Sequence, residues 1–209
     1  MTEHVEKAAT AEWLDQPFDP ETADGWDRAN CGHHGLLKHV LVHEAGHAVA
    51  AARLNIEFLD VSVLPPGRRT AMGDGFLGGG VQLTLFENGW AVDRIDDVYE
   101  MCLMGVVAER KILQHQLKDG FLQDIERFKR AGNYLNGLPE ADFQPLHQRV
   151  MSNIDENWSQ TERDVRALIR AFAAQFTASG AQVLSGLMEP LVLTSAEVHS
   201  LLDIENPSS

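Results

Sequence analysis

The sequence predicts a mainly helical α+β domain with one small β-sheet near its beginning, and three observations support this fold class. The 209 residues are enough for one domain with a substantial core. A content of 44% hydrophobic and 23% charged residues is an ordinary globular composition. Apolar residues recur at helical spacing over most of the chain, whereas strand-like patterns are confined to two short early stretches.

The early part of the chain predicts one helix followed by the sheet. Residues 36–54 carry apolar side chains at helical spacing without an interrupting proline. Residues 56–64 are rich in β-branched side chains and residues 81–85 alternate with period two, so we expect a strand in each. The glycine-rich stretch from Gly73 to Gly80 lacks the G-x-x-x-x-G-K-[ST] pattern of a phosphate-binding loop, and we interpret it as a flexible hairpin or flap.

The rest of the chain is predicted to be helical. One helix runs from Asp93, a good N-cap residue, to about residue 116, and another covers roughly 119–136. Ser159-x-x-Glu162 and Thr194-x-x-Glu197 have the spacing of capping boxes. We therefore expect each of these two motifs to begin a further helix.

Charge and cysteine content exclude several function classes. The formal net charge of −14 argues against nucleic acid and anionic membrane surfaces as partners, because both require clustered Lys and Arg. Residues 1–32 are predicted to be a solvated acidic arm and residues 205–209 a frayed tail. The sequence shows no membrane-span-length apolar run and no signal-peptide core, and its two cysteines do not make a disulfide framework. We therefore expect a cytoplasmic protein.

The strongest functional signal is His43-Glu44-Ala45-Gly46-His47, which lies within the first predicted helix. Histidines four residues apart project from one helix face, so His43 and His47 can bind the same ion. Glu44 points to the flank, where it can take a proton from a water bound to that ion. Zinc is the expected metal because imidazoles suit it, and it lowers the pKa of bound water toward about 7. The motif predicts a zinc site with Glu44 as general base.

A third metal ligand is expected elsewhere, because catalytic zinc usually takes three protein ligands. Asp124 lies on the apolar stripe of the helix predicted over 119–136, and Glu109 lies on that of the preceding helix. A carboxylate on an apolar face needs a partner, which a metal ion, a salt bridge or a capping hydrogen bond would each supply. The pattern alone does not decide whether Asp124 or Glu109 is the third ligand. His39 lies one turn before His43, and we interpret it as a surface or core histidine.

These motifs resemble the peptidase domain of the FtsH-type, AAA-linked zinc proteases. The clearest segments, with the family's pattern in parentheses, are His43–Ala48 (H-E-A-G-H-A), Met104–Glu109 (G-G-R-A-A-E) and Leu122–Ile125 (S-N-D-L). The resemblance covers residues 33–204 and implies a zincin-like peptidase domain of packed helices. Because the family's aspartate in the last segment is a zinc ligand, the resemblance favours Asp124 over Glu109.

The sequence differs from the family's pattern in ways that affect the function we expect. Residues 116–120 differ from the family's T-T-G-A-S, and nothing in the sequence is similar to its ATPase domain or membrane segments. We expect a stand-alone zinc endopeptidase that hydrolyses flexible or unfolded polypeptide, with a separate ATPase or adaptor protein as a candidate partner. The resemblance implies that the strand near residues 80–85 binds extended peptide by edge pairing.

Two other functions remain open. The first is a catalytically silent or regulatory peptidase-like binding protein with a structural metal, against which the intact Glu44 weighs, since a structural zinc does not need it. The second is metal-dependent hydrolysis of a non-peptide substrate, because the site chemistry specifies only an activated water.

Overall fold

The computed structural model describes residues 34–64, 78–84, 94–114, 124, 128, 140–180 and 189–205. Within these ranges the elements are α1 (His34–Arg53), β1 (Phe58–Leu64), β2 (Gly78–Leu83), α2 (Ile95–Ala108), a π-helical turn (Glu109–Leu113), α3 (Glu140–Ala178), β3 (Leu191–Thr194) and α4 (Ser195–Leu202). The predicted mainly helical α+β class with a small sheet is confirmed. The predicted acidic arm over 1–32 lies outside the described residues, as does most of the predicted tail.

Helix α1 lies at the centre of the fold and contacts α2, α3, α4 and the sheet. Every side chain from Val40 to Ala52 is buried except that of His43, which is partly exposed. A helix with buried residues on all its faces is enclosed rather than packed along one stripe. The charged and polar groups of the His43–His47 motif are therefore largely shielded from water, so neighbouring groups must neutralise them.

Helices α1 and α2 lie side by side and run antiparallel, because His47 contacts Met101 whereas His39 contacts Glu109 just beyond the end of α2. Their close approach depends on Gly46. A Cβ atom at Gly46 would lie 2.6 Å from the carbonyl oxygen of Met104, which is closer than real Cβ atoms come to other atoms. The missing side chain lets the backbone of α2 lie directly against the motif.

The sheet is antiparallel with strand order β2-β1-β3. Val61 pairs with Val81 and Phe58 pairs with Leu83, so β1 has one extra residue between these pairs and forms a β-bulge. Strand β2 is an edge strand among those described, and it packs against α1. It begins at Gly78, earlier than the predicted start at residue 81, so the end of the glycine-rich stretch belongs to the sheet.

The prediction that a helix begins at Ser159 is wrong. Helix α3 is continuous from Glu140 to Ala178, and Ser159 lies in its middle. Leu146, Val150 and Ile154 are buried and extend the apolar stripe upstream of Ser159. A Ser-x-x-Glu spacing also occurs inside helices, so the capping pattern alone did not locate a helix start.

The second predicted capping box is confirmed at the start of α4. The Thr194 side chain accepts a hydrogen bond from the backbone N–H of Glu197, and the Glu197 carboxylate accepts one from the backbone N–H of Thr194 at 2.7 Å. The sequence did not predict β3, whose four residues are too few to show a period. No helix in the described part of the chain has the length and hydropathy needed to cross a membrane.

Candidate metal centre

Three potential metal-ligand atoms from two separate parts of the chain meet beside α1. The Nε2 atoms of His43 and His47 lie 3.0 Å apart. The Oδ2 atom of Asp124 lies 3.0 Å from the first of them and 3.2 Å from the second. Ligand atoms of a tetrahedral zinc site with bonds of about 2.0–2.1 Å lie about 3.3 Å apart. His43, His47 and Asp124 therefore form a group that could hold a metal ion.

Both imidazoles are oriented by hydrogen bonds at Nδ1. The Nδ1 atom of His47 donates to the carbonyl oxygen of Met101 at 2.7 Å, and because a carbonyl only accepts, this nitrogen carries the proton. The Nδ1 atom of His43 donates to Oε1 of Glu109 at 2.6 Å. In the neutral form of each ring, Nε2 is then the unprotonated nitrogen. This tautomer is the one that binds a metal through Nε2.

When both rings are neutral, the three atoms that face each other are all hydrogen-bond acceptors, and a cation is needed to relieve the repulsion between them. Burial alone lowers the pKa of His43, but hydrogen bonds with Asp124 and Glu109 raise it well above its usual value. Burial alone raises the pKa of Asp124, but its proximity to His47 and hydrogen bonds with both histidines hold it well below its usual range. A proton on His43 relieves part of the repulsion, whereas a divalent ion relieves it at all three atoms.

Asp124 reaches the site from a segment that packs on α2. Phe128, one helical turn later, is buried, and its ring centroid lies 4.5 Å from that of Tyr99. The helix predicted over 119–136 is described only at Asp124 and Phe128, and both residues are helical. The aromatic contact places Phe128 against α2, and the Asp124 carboxylate, four residues earlier, faces the histidines.

Glu109, the other candidate third ligand, occupies a different place. It bonds Nδ1 of His43, and the two nitrogens of an imidazole point away from opposite edges of the ring. Asp124 faces Nε2, so the two carboxylates lie on opposite sides of His43. Glu109 therefore lies outside the group of atoms that could hold a metal ion and contacts the other side of the His43 ring. It begins the π-helical turn after α2, a distortion that is frequent at functional sites.

Glycines clear the space that the site requires. A Cβ atom at Gly105 would overlap Nε2 of His47 and lie 2.8 Å from Cε1 of His43, so only glycine on α2 leaves room for both rings. A Cβ atom at Gly79 on β2 would overlap Cγ, Cδ and Oε1 of Glu44. Glu44 is 8% exposed and lies against the backbone of the edge strand. The predicted general base thus lies beside strand β2.

Sequence reasoning did not find several of these supporting groups. The Met101 carbonyl has no side-chain signal, because any residue supplies a backbone oxygen. Gly79 was noticed only as part of a glycine-rich stretch. Glu109 was found as an acid on an apolar stripe, and only the fold shows which side of His43 it occupies. His39 was interpreted as a surface or core histidine, and it is buried with Nδ1 3.3 Å from Oε2 of Glu109.

Comparison with known proteins adds no family to this description. A scan of the chain against known protein families found no match, and neither did a search of curated proteins.

Proposed function

We propose that this protein is a zinc-dependent endopeptidase of FtsH-like, zincin-like type, with His43, His47 and Asp124 as metal ligands and Glu44 as general base. The observation that carries the proposal is the triangle of two imidazole Nε2 atoms and a carboxylate oxygen, with sides of 3.0–3.2 Å. Two histidines and one carboxylate are the ligand set of well-known zinc peptidases. Glu44 follows the first ligand on the same helix, as the general base of a metallopeptidase does.

The chemistry divides between the ion and the protein. Zinc, when bound, supplies a Lewis acid that lowers the pKa of a coordinated water and polarises the peptide carbonyl. Glu44 accepts the proton of the attacking water and delivers it to the nitrogen of the leaving amine, so its carboxylate is regenerated. The outer bonds from His43 to Glu109 and from His47 to Met101 hold the two rings in orientation. Their rigidity supports hydrolysis because the base and the ligands need a fixed relative geometry.

The surroundings of the site favour flexible or unfolded polypeptide as substrate. His43 is 12% exposed and Glu44 8%, so only a small part of each reactive side chain is accessible to a substrate. An extended chain can approach such recessed groups more closely than the surface of a folded protein can. Strand β2, beside Glu44, offers backbone groups at a sheet edge to which an extended peptide can pair. A separate ATPase or adaptor would be the partner that supplies unfolded segments of stable substrates.

The proposal is tested by separating metal binding from peptide cleavage. Glu44→Gln keeps the size of the side chain and removes its basicity, so the variant should retain zinc at the parent's stoichiometry. Its cleavage rate should fall by about 10²–10⁴-fold, the usual contribution of a general base. The measurements are zinc content after dialysis and cleavage of a fluorescently labelled, permanently unfolded protein.

Asp124→Asn is the matched comparison, because it also replaces a carboxylate by an amide but should lose zinc as well as cleavage. A Glu44→Gln protein that cleaves as fast as the parent would remove Glu44 from the mechanism. A parent protein that binds zinc and cleaves no polypeptide would overturn the endopeptidase proposal in favour of a binding protein with a structural metal. A parent that binds no zinc would overturn both.

A further inference from the structure

Behind the metal ligands, Glu109 bridges two histidines of α1. Its Oε1 atom accepts a hydrogen bond from Nδ1 of His43 at 2.6 Å, and its Oε2 atom lies 3.3 Å from Nδ1 of His39. His39 and Glu109 are each 2% exposed. Residues four apart on a helix share a face, so α1 presents both rings to the same carboxylate. Neither the HExxH motif nor the three ligands require a histidine at position 39.

Two hydrogen-bond donors restrict the orientation of a carboxylate more than one donor does. The terminal torsion of a glutamate side chain is broad, so a single hydrogen bond leaves the plane of the carboxylate free to turn. A second donor at the other oxygen fixes that plane and with it the direction of the bond to His43. An ionised carboxylate only accepts hydrogen bonds, and the two oxygens of Glu109 lie 2.6 Å and 3.3 Å from the Nδ1 atoms of His43 and His39. Glu109 is therefore an acceptor for both rings.

We propose that His39 is a positioning residue of the metal centre, which acts through Glu109. By donating to Oε2, His39 fixes the carboxylate so that Oε1 holds His43 in the tautomer and orientation that direct Nε2 toward the ion. The proposal rests on the metal site of the proposed function and is independent of whether the substrate is a polypeptide. Outer-shell partners of a metal-binding histidine commonly change metal affinity, although they do not touch the metal.

The test compares His39→Leu with His39→Asn. Leucine fills the site without a donor, whereas the amide nitrogen of asparagine can occupy the place of Nδ1 and restore the bond to Glu109. His39→Leu should weaken zinc binding by about tenfold, the lower end of the range for loss of an outer-shell partner. His39→Asn should bind zinc nearly as tightly as the parent. Zinc affinity is measured by competition with a chromophoric chelator, and circular dichroism checks that each variant is folded.

A double variant shows whether the effect passes through Glu109. Glu109→Gln alone should weaken zinc binding, and adding His39→Leu to it should have little further effect, because residues in one hydrogen-bond network are not additive. The proton on Nδ1 of His43, observed by NMR in the zinc-bound protein, should shift in His39→Leu and return in His39→Asn. A residue that merely fills the core would not produce this pattern.

His199→Leu is the control for the loss of a buried histidine. His199 is 3% exposed, donates from Nδ1 to the carbonyl oxygen of Ser195 and stacks on Phe58. This variant should change stability and leave zinc affinity at the parent's value.

Each outcome has a defined meaning. If the parent binds zinc and His39→Leu binds it equally well, the positioning role is wrong and the metal site stands. Additive losses in the double variant would likewise overturn the role, because His39 would then act independently of Glu109. A parent protein without zinc affinity would instead remove the proposed function on which this inference rests.

Discussion

At the scale of single residues, the site is built as much by missing side chains as by present ones. Gly105 leaves room for the rings of His43 and His47, and Gly79 leaves room for Glu44. Any larger residue at these positions would occupy space that the reactive groups now fill. The glycines on α2 and β2 therefore belong to the site although they carry no functional group.

Replacing Gly79 by alanine should separate catalysis from metal binding. The added methyl group would overlap the Glu44 side chain and push it away from its position, while the metal ligands on α1 and at Asp124 are not touched. We expect peptide cleavage to fall by at least about tenfold, because a displaced general base contributes less of its usual 10²–10⁴-fold effect. Zinc affinity should stay unchanged. The measurements are the cleavage rate of an unfolded substrate and zinc competition.

Gly80→Ala is the matched control, because a Cβ atom at the neighbouring position has no heavy atom within 4 Å. This variant should cleave like the parent. If both variants lost the same amount of cleavage activity, the contact between Gly79 and Glu44 would not be the cause of the loss.

The sequence identified the residues that could hold a metal ion better than it identified the contacts that support them. His43 and His47 follow from spacing on one helix, since a period of 3.6 residues fixes which side chains share a face. Asp124 and Glu109 could not be told apart by pattern, because both are acids on apolar stripes. The distinction depends on which edge of the His43 ring each acid reaches, and that depends on how α2 and the later segment pack.

At the scale of elements, the antiparallel pair of α1 and α2 carries most of the site. Helix α2 supplies the carbonyl that orients His47 and the glycine beside both rings, and the turn that follows it supplies Glu109. The distance between the two helices is set where Gly46 meets the carbonyl oxygen of Met104. A shift of α2 would therefore disturb all of these contacts at once.

Gly46→Ala tests this packing, because the close contact predicts that the substitution lowers stability rather than raises it. Alanine in place of an unconstrained helical glycine stabilises a protein by up to about 1 kcal/mol. Here the methyl group would lie 2.6 Å from backbone that cannot rotate away, so the helices must separate. Overpacking of this kind costs about 1–3 kcal/mol, and after the helical gain is subtracted we expect a net loss of up to about 2 kcal/mol in the free energy of unfolding. Urea denaturation measures it, and a gain in stability would contradict the packing account.

A local sequence pattern predicted the start of a helix only where hydrogen bonds within that pattern form the helix end. The Thr194 box predicted the start of α4, because both of its hydrogen bonds form within four residues. The same spacing at Ser159 failed, since the buried stripe of Leu146, Val150 and Ile154 carries the helix through it. The sequence did not predict strand β3, because β3 forms through its pairing with β1, which is far away in sequence.

At the scale of the whole molecule, the metal group joins parts of the chain that are far apart in sequence. His47 and Asp124 are separated by 77 positions, and with a neutral His47 ring protonated at Nδ1 their facing atoms are both acceptors that repel one another without a cation. A bound ion would replace that repulsion by coordination bonds and close the loop between the two segments. Such a site rarely exists in an unfolded chain, so binding adds to the stability of the fold.

Zinc should therefore raise the thermal stability of the protein. At a free zinc concentration 100-fold above its dissociation constant, binding to the folded state contributes about 2.7 kcal/mol. For a domain of this size, 1 kcal/mol shifts Tm by about 2–4 °C, so calorimetry should show a rise of about 5–10 °C. A chelator should reverse it. Asp124→Asn removes one of the three proposed ligands, so its Tm should rise little on zinc addition. An equal zinc-induced rise in parent and variant would show that Asp124 does not hold the ion.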